Sequence, residues 1–181
     1  MFPLGHLGIT LGIALVVMKV RPVLASRIDL RFVLFGAILP DIIDKLLGHV
    51  VLAGTLDNGR LVGHTAAFSL FFIAIGVILT SDRLAVVGFA GAVHLGLDLM
   101  WYYPSTLLWP VHGWEFPAED FEVYDWITTL GTDGFVQAGE LIGGTILLAF
   151  ILRYGLLGKG RLRRFLADGE LSQATSARNQ K

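Results

Sequence analysis

Histidine and aspartate residues interrupt the apolar stretches of this sequence at several points. His94 and Asp98 are four residues apart, a spacing that places both side chains on one face of a helix. Imidazole nitrogens and carboxylate oxygens are ligands that suit Zn²⁺, with Mn²⁺ and Fe²⁺ as alternatives. The chain has no cysteine, which excludes thiolate metal sites and disulfides. The candidate metal ligands are His6, Asp41, Asp44, His64, His94 and Asp98.

A divalent cation among these residues would offset the repulsion between neighbouring carboxylates and lower the pKa of a bound water. Such a water could attack a phosphoester or an amide. More than four candidate ligands leave room for two metals, or for one metal with a general base. Asp44 is either a further ligand or that base, and Arg60 is a candidate to hold an anionic oxygen such as a phosphate.

Each candidate also has a purely structural interpretation. His94 and Asp98 could be a hydrogen-bonded pair, and Asp44 with Lys45 could be an ion pair at the membrane interface. His6, His64 and Arg60 could be ordinary polar residues at helix ends. Two further histidines, His49 and His112, are interpreted as surface residues. Glu140 opens the last predicted span on the same outer side and could be a seventh participant, but the structural interpretation is favoured for it. The set as a whole is interpreted as a site, because a purely structural interpretation would have to be correct for every one of these residues at once.

The composition places the candidate ligands in a membrane protein. Hydrophobic residues make up 54% of the 181 residues and charged residues only 16%, against about 25% charged residues in a soluble domain. Mean hydropathy is +0.67. We therefore predict an all-α, polytopic membrane helix bundle with about five transmembrane helices, in a single domain over residues 1–167. Residues 168–181 are predicted to form a polar, disordered cytoplasmic tail.

A bilayer core of about 30 Å requires roughly 20 mostly apolar residues per helix. The predicted spans are residues 32–53, 61–79, 84–103 and 141–157, with a shorter fifth at 7–20, for which a re-entrant segment is the alternative. Glycine patterns at 5, 8 and 12 and at 88, 91 and 96 predict close contacts between helices.

The distribution of positive charge orients these spans. All but Lys45 and Arg60 of the 14 lysines and arginines lie at ends that five alternating spans place on one side. The connection over residues 101–137 carries acidic residues and no lysine or arginine. The positive-inside rule therefore predicts an external N-terminus and a cytoplasmic C-terminus. At 1.5 Å per residue, all six candidate ligands then fall in the outer half of the bilayer.

Several short motifs, in order and spacing, resemble a known family. They are Gly5-His6, Leu39-Pro40-Asp41 with Asp44, Arg60 before Gly63-His64-Thr65, His94 with Asp98, and Leu108-Trp109-Pro110. Over about residues 5–116 the chain resembles the YdjM-type membrane-bound metal-dependent hydrolases. Two histidines of the family pattern are missing here. Where the family has Ile-Asp-His, Ile43 and Asp44 occupy the first two places of this sequence. Gly59 occupies the place of a histidine that precedes the arginine. The first departure favours Asp44 as a substitute ligand.

The resemblance implies hydrolase activity with a divalent metal. The family is also distantly similar to zinc phospholipase C and related nucleases, which cleave phosphoesters. We therefore predict a hydrolase of the inner (plasma) membrane that acts on a phosphoester of a lipid or lipid-linked substrate, with no nucleic-acid partner. Aromatic residues at an interface would flank the lipid headgroup; they are Trp101, Tyr102, Tyr103, Trp109 and Trp114. The alternatives are an ion, proton or metal transporter and a metal-clamped structural protein.

Overall fold

The fold of the chain is helical, as predicted, in a computed structural model that describes residues 1–51, 58–117, 123–169 and 171. Within these ranges no strand is present. The α-helices are α1 (Pro3–Val20), α2 (Pro22–Ala25), α3 (Leu30–Leu46), α4 (Ala66–Ile78), α5 (Asp82–Leu97), α6 (Pro104–Leu107), α7 (Val123–Thr132), α8 (Gly134–Tyr154) and α9 (Arg161–Asp168). A π-helical turn (Leu47–Val51) extends α3, and 3-10 turns occupy Val62–His64 and Met100–Tyr102. The predicted tail lies almost wholly outside the described residues.

Helices α1 and α8 are in backbone contact where both carry glycine. A Cβ atom added to Gly8 would lie 1.9 Å from the main-chain oxygen of Gly143, so neither position has room for a side chain. The N-terminal turn of α1 has no side-chain cap of its own. Glu140 of α8 supplies one, because its carboxylate accepts the backbone N–H groups of Phe2, Leu4 and Gly5 at 2.9–3.2 Å.

The close packing predicted from the glycine patterns is confirmed at most positions. Gly36 of α3 lies against the backbone of Val87 on α5, and Gly88 of α5 lies against the backbone of α4. Gly96 differs, since an added Cβ there would meet nothing within 4 Å. These contacts place α3, α4 and α5 side by side, with α1 and α8 packed as a second pair.

The surface of the helices is apolar and the interior contains the polar groups. Phe71 is 58% exposed, Ile78 76% and Leu141 73%, whereas His6 and His94 are 0% exposed. Large apolar side chains exposed on several helices, around buried histidines, fit a lipid environment. By length and composition, α1 and α8 could each cross a membrane. Helices α3, α4 and α5 have 17, 13 and 16 residues, so they are shorter than the predicted spans.

The basic segments predicted to share one side of the membrane meet in the structure. Arg31, at the start of α3, donates to main-chain oxygens at the end of α9 and pairs with Asp29 at 2.7 Å. Arg27 lies 3.9 Å from Asp82 at the start of α5. The hydrogen bond from Arg31 holds the pKa of Asp29 below its usual range. Helix α9 is anchored at this end by Phe165, which is buried against Phe150 of α8.

Two adjacent glycines of α8 provide a test of this packing. Gly143→Ala should lower the free energy of unfolding by about 1–3 kcal/mol, because its Cβ would meet the backbone of α1 at 2.2 Å. Gly144→Ala is the matched control, since its Cβ would lie 3.8 Å from Leu4 in ordinary contact. The measurement is thermal unfolding in detergent. Equal unfolding temperatures for the two variants would contradict the predicted contact.

Candidate metal centre

Four of the predicted ligands meet at one end of the helix bundle. Asp41 lies near the end of α3, His64 in the 3-10 turn before α4, His94 in the last turn of α5, and Asp98 at the C-cap of that helix. One donor atom from each lies within 4.8 Å of the donors of the other three. Residues 57 positions apart in sequence thus face a common point.

The donor atoms at this point are two imidazole nitrogens and two carboxylate oxygens. The Nε2 atoms of His64 and His94 are 3.2 Å apart. Oδ2 of Asp98 lies 3.3 Å from the first of these atoms and 3.4 Å from the second. Oδ1 of Asp41 lies 3.7 and 4.0 Å from the same two atoms. All four side chains therefore point inward with their ligand atoms.

The outer nitrogens of the two rings assign their tautomers. Nδ1 of His94 lies 2.7 Å from the main-chain oxygen of Ala37, which can only accept a hydrogen bond. Nδ1 of His64 lies 2.7 Å from Oδ2 of Asp44. Both Nδ1 atoms are therefore donors, so in a neutral ring at either position the Nε2 lone pair would face the centre. Two Nε2 atoms at 3.2 Å, beside two carboxylates, call for a proton or a metal cation among them.

Asp44 does not face the centre, in contrast to either role predicted for it. It is fully buried, and its two oxygens accept the N–H groups of Leu61, Gly63 and His64 as well as the His64 ring. Both oxygens are thus engaged, so the carboxylate orients His64 from behind. Gly63 is required for this approach, because an added Cβ would lie 2.9 Å from Asp44. Lys45 pairs with Asp41 at 2.9 Å, whereas the structural interpretation of the sequence had paired it with Asp44.

Asp98 extends the site toward α1. Its Oδ1 atom lies 3.1 Å from Nε2 of His6 and contacts the α-amino group of Met1. The His6 ring stacks on the His94 ring, with centroids 3.9 Å apart. His6 is therefore beside the four-residue group, on the other oxygen of Asp98. Leu99 ends α5 at this point by adopting a left-handed conformation (φ 54°, ψ 39°), which costs a non-glycine residue about 1–2 kcal/mol.

The donor set fits a divalent cation. Four ligands at tetrahedral distances from zinc lie about 3.3 Å apart, and three of the observed separations are 3.2–3.4 Å. Hydrogen bonds that fix the outer nitrogen of each histidine, from a carboxylate and from a carbonyl, are typical of metal-binding imidazoles. Asp41, His64, His94 and Asp98 could thus hold a metal ion, as predicted.

The match to a known family agrees with this architecture. The sequence matches the profile described as YdjM inner membrane protein over residues 1–162. The chain belongs to the YdjM inner membrane protein family. The match spans α1 to α8 and includes every candidate ligand, whereas the sequence motifs covered about residues 5–116. No curated protein and no solved structure matches the sequence.

The candidate ligands differ in their exposure. Asp98, His64 and His94 are at most 7% exposed, whereas Asp41 is 15% exposed and Lys45, which pairs with it, is 34% exposed. Asp41, near the end of α3, is thus the most exposed of the four.

Arg60 and the predicted aromatic residues lie in neighbouring segments of the YdjM chain. The Arg60 guanidinium carbon lies 4.6 Å from the centre of the Tyr103 ring. Asn58 joins the two segments by accepting the Arg60 N–H and contacting the main-chain oxygen of Pro117. Trp109 stacks on Phe116, and Trp114, which is 76% exposed, packs against the edge of Trp109. Tyr103 thus packs on Arg60, and Trp109 joins Trp114 and Phe116 in a separate aromatic group.

Two residues of this YdjM site were not predicted from the sequence. Lys45 neutralises Asp41, and the only signal was their separation of four residues on one helix. Glu140 holds the turn of α1 that carries His6, but one acidic residue at the start of an apolar segment gives no sign of its partner. Its hydrogen bonds to the backbone of α1 depend on the packing of α8 on α1, which the sequence does not show.

Proposed function

We propose that this YdjM family member is a metal-dependent hydrolase that cleaves a phosphoester of a lipid or lipid-linked substrate at the extracytoplasmic face of the inner membrane. The observation that carries the proposal is the pair of Nε2 atoms of His64 and His94, 3.2 Å apart and flanked by two carboxylates. Zinc is the metal favoured by two nitrogen and two oxygen donors, with manganese or iron as alternatives.

A divalent cation held by these residues would supply an activated water and stabilise negative charge on a phosphoryl oxygen. The chain's own residues fix where this happens. His64, His94, Asp41 and Asp98 would be the ligands. Asp44 and the Ala37 carbonyl keep the two rings in the tautomer that leaves Nε2 unprotonated. Asp44 is thus assigned a positioning role in place of the ligand or base role.

A phosphate-bearing substrate fits the positive charges near Asp41. Lys45 is a partly exposed cation beside Asp41, so its ammonium group could bind a phosphate oxygen as it enters. Arg60 offers a second cation whose planar guanidinium matches phosphate geometry, while it is packed on Tyr103. Exposed Trp101 and Tyr102 suit the headgroup region of a bilayer. A lipid substrate already present in the bilayer explains why a site would be embedded there.

We propose five membrane crossings, with the N-terminus outside and the C-terminus in the cytoplasm. The contacts of Arg27 and Arg31 with the ends of α5 and α9 support a common basic end. The candidate ligands lie at the opposite ends of α1, α3 and α5, so the site would face outward. The π-helical turn after α3 lengthens that helix to residue 51, whereas α4, about 20 Å long, needs a locally thinner bilayer or flanking residues.

The test is hydrolysis by purified protein in detergent or vesicles, reconstituted separately with zinc, manganese and iron. The substrates are a lipid phosphomonoester, a lipid phosphodiester and a lipid-linked diphosphate, with release of phosphate or headgroup as the measurement. We expect turnover that a chelator abolishes and that falls at least about 100-fold in His94→Ala. His112→Ala is the matched control, because this histidine is exposed in the segment after α6.

A metal-clamped structural protein is the second candidate, and near-complete burial of His64, His94 and Asp98 favours it. It predicts bound metal, a large fall in unfolding temperature on chelation and no turnover of any phosphoester. Metal flux into vesicles without turnover would instead identify a transporter. Either result would replace the hydrolase proposal.

A further inference from the structure

We propose that α9 lies on the surface of the bilayer at the basic end of the bundle and binds anionic phospholipid headgroups there. Its exposed leucines would enter the acyl region and its arginines would contact lipid phosphates. Under the proposed topology this surface belongs to the cytoplasmic leaflet. The inference goes beyond the proposed function, because it requires neither a bound metal nor hydrolysis.

The chain turns back on itself between α8 and α9. Helix α8 ends at Tyr154, after which Gly155 adopts a left-handed conformation (φ 60°), and Gly160 does the same (φ 77°) directly before α9. As a result, the Phe165 ring lies 5.9 Å from the ring of Phe150. In one continuous helix these two residues would be about 22 Å apart. Helix α9 therefore lies against the end of α8 and does not extend away from the bundle.

The apolar face of α9 is only partly covered by the bundle. Leu162, Phe165 and Leu166 have the spacing of one helix face. Phe165 is 2% exposed, whereas Leu162 is 49% and Leu166 61% exposed. Leu152, in the last turns of the helix on which Phe165 packs, is exposed as well. The exposed apolar surface of the bundle therefore reaches the level of α9, and the two leucines add to it.

The opposite face of α9 carries positive charge. Arg163 and Arg164 are exposed, and neither forms an ion pair with any residue that the structure describes. Residues 153–164 contain five lysines and arginines and no aspartate or glutamate. Leucine on one face and arginine on the other is the pattern of a helix in the headgroup region of a bilayer. There the burial of apolar area and the attraction to anionic lipid act together.

The position of α9 favours phospholipid as the anionic partner. Arg31, at the start of α3, donates to the main-chain oxygens of Leu166 and Ala167. This contact holds the last turn of α9 at the end of the bundle, beside the ends of α3 and α8. Lipid phosphates are the anions present at the ends of membrane helices, and they attract lysine and arginine side chains close to the surface.

Spin labels on adjacent residues test the position of α9 in the full-length protein. The chain has no cysteine, so Leu166→Cys and Ala167→Cys each provide one labelling site. Ala167 is the matched control, because it is exposed and lies between Arg163 and Arg164 around the helix axis. In nanodiscs of mixed phosphatidylcholine and phosphatidylglycerol, the label at residue 166 should be accessible to oxygen and protected from a water-soluble nickel chelate. The label at residue 167 should show the reverse. Leu162→Cys is the second variant in case the first does not fold.

The charge of the lipid tests the identity of the partner. Replacing pure phosphatidylcholine by the mixture should raise the ratio of oxygen to nickel accessibility at residue 166, because the arginines are attracted to phosphatidylglycerol. Arg163→Gln combined with Arg164→Gln should remove this rise. Lys19→Gln combined with Arg21→Gln is the matched control, since it removes two exposed positive charges at the end of α1. The rise should persist in this control.

Three results would overturn the proposal. The first is equal nickel accessibility at residues 166 and 167, because the apolar face of α9 would then lie in water. The second is broadening of the spectrum by a label on another chain, which would make a second copy of the protein the partner. The third is a ratio that does not change with lipid composition, or that rises equally in the arginine variant. None of these measurements depends on metal or turnover, so the hydrolase proposal succeeds or fails separately.

Discussion

Asp98→Asn is expected to abolish stoichiometric metal binding. The loss of a residue that hydrogen-bonds a ligand typically weakens metal binding by up to about 100-fold, so the loss of a ligand itself should weaken it by more than that. The carboxylate oxygens of Asp98 lie 3.1–3.4 Å from Nε2 atoms of His6, His64 and His94, so this residue links the three histidines. Asparagine has nearly the same shape but no charge, and its NH₂ group cannot bind a cation. The measurement is metal content after dialysis against a fixed concentration of free zinc or manganese.

The matched control for this variant is Asp82→Asn, the same chemical change at an exposed position at the other end of α5. It should retain the wild-type metal content. Metal also stabilises the folded protein by mass action, so chelation should lower the unfolding temperature of wild type and Asp82→Asn but not of Asp98→Asn. Full metal occupancy in Asp98→Asn would remove the central ligand from the proposal.

Asp44→Asn is expected to weaken metal binding by about 10–100-fold while leaving full occupancy at high metal concentration. Asp44 reaches the centre only through His64, whose ring it fixes at 2.7 Å. In one orientation the asparagine amide would direct its NH₂ group at backbone N–H groups. In the other it would accept from the His64 ring without the negative charge that favours the correct tautomer. The measurement is a titration with a competing chelator. Unfolding temperatures of the metal-free proteins monitor any separate effect on stability.

A double-mutant cycle distinguishes positioning from a general effect on the fold. In a His64→Ala background, Asp44→Asn should have no further effect on metal affinity, because the ring through which it acts is gone. A persistent effect in that background would mean that Asp44 acts by another route, including direct ligation. The same pair of variants therefore tests the ligand role that the sequence left open for this residue.

The class of fold and most of the site were predictable because they depend on residue type. Low charge and long apolar stretches required a membrane helix bundle, and His94 and Asp98 are neighbours on any helix that contains both. The ends of the helices were less predictable. Hydropathy continues from Leu84 to Tyr103, but α5 ends at Leu97 where Leu99 turns left-handed. Similarly, α4 begins only at Ala66, since the preceding residues bind Asp44.

The direction of each side chain was beyond the reach of the sequence. Asp41 and Asp44 are three residues apart on α3 and chemically identical, so spacing alone made both of them ligands. Their difference arises from the loop after residue 58, whose backbone N–H groups surround Asp44 and leave Asp41 to Lys45. Which carboxylate meets the loop depends on tertiary packing, and no local pattern records it.

The cap that Glu140 provides for α1 has a consequence for the order of events during synthesis. Helix α1 is translated before α8, but the carboxylate that holds the N-terminal turn of α1 lies on α8, 135 residues beyond Gly5. Asp41, His64, His94 and Asp98 are all present once α5 has been made, so their half of the site can mature early. The turn of α1 that carries His6 receives its cap only after α8 has been made and has packed on α1. Helix α1 is therefore translated before α5 but completed after it.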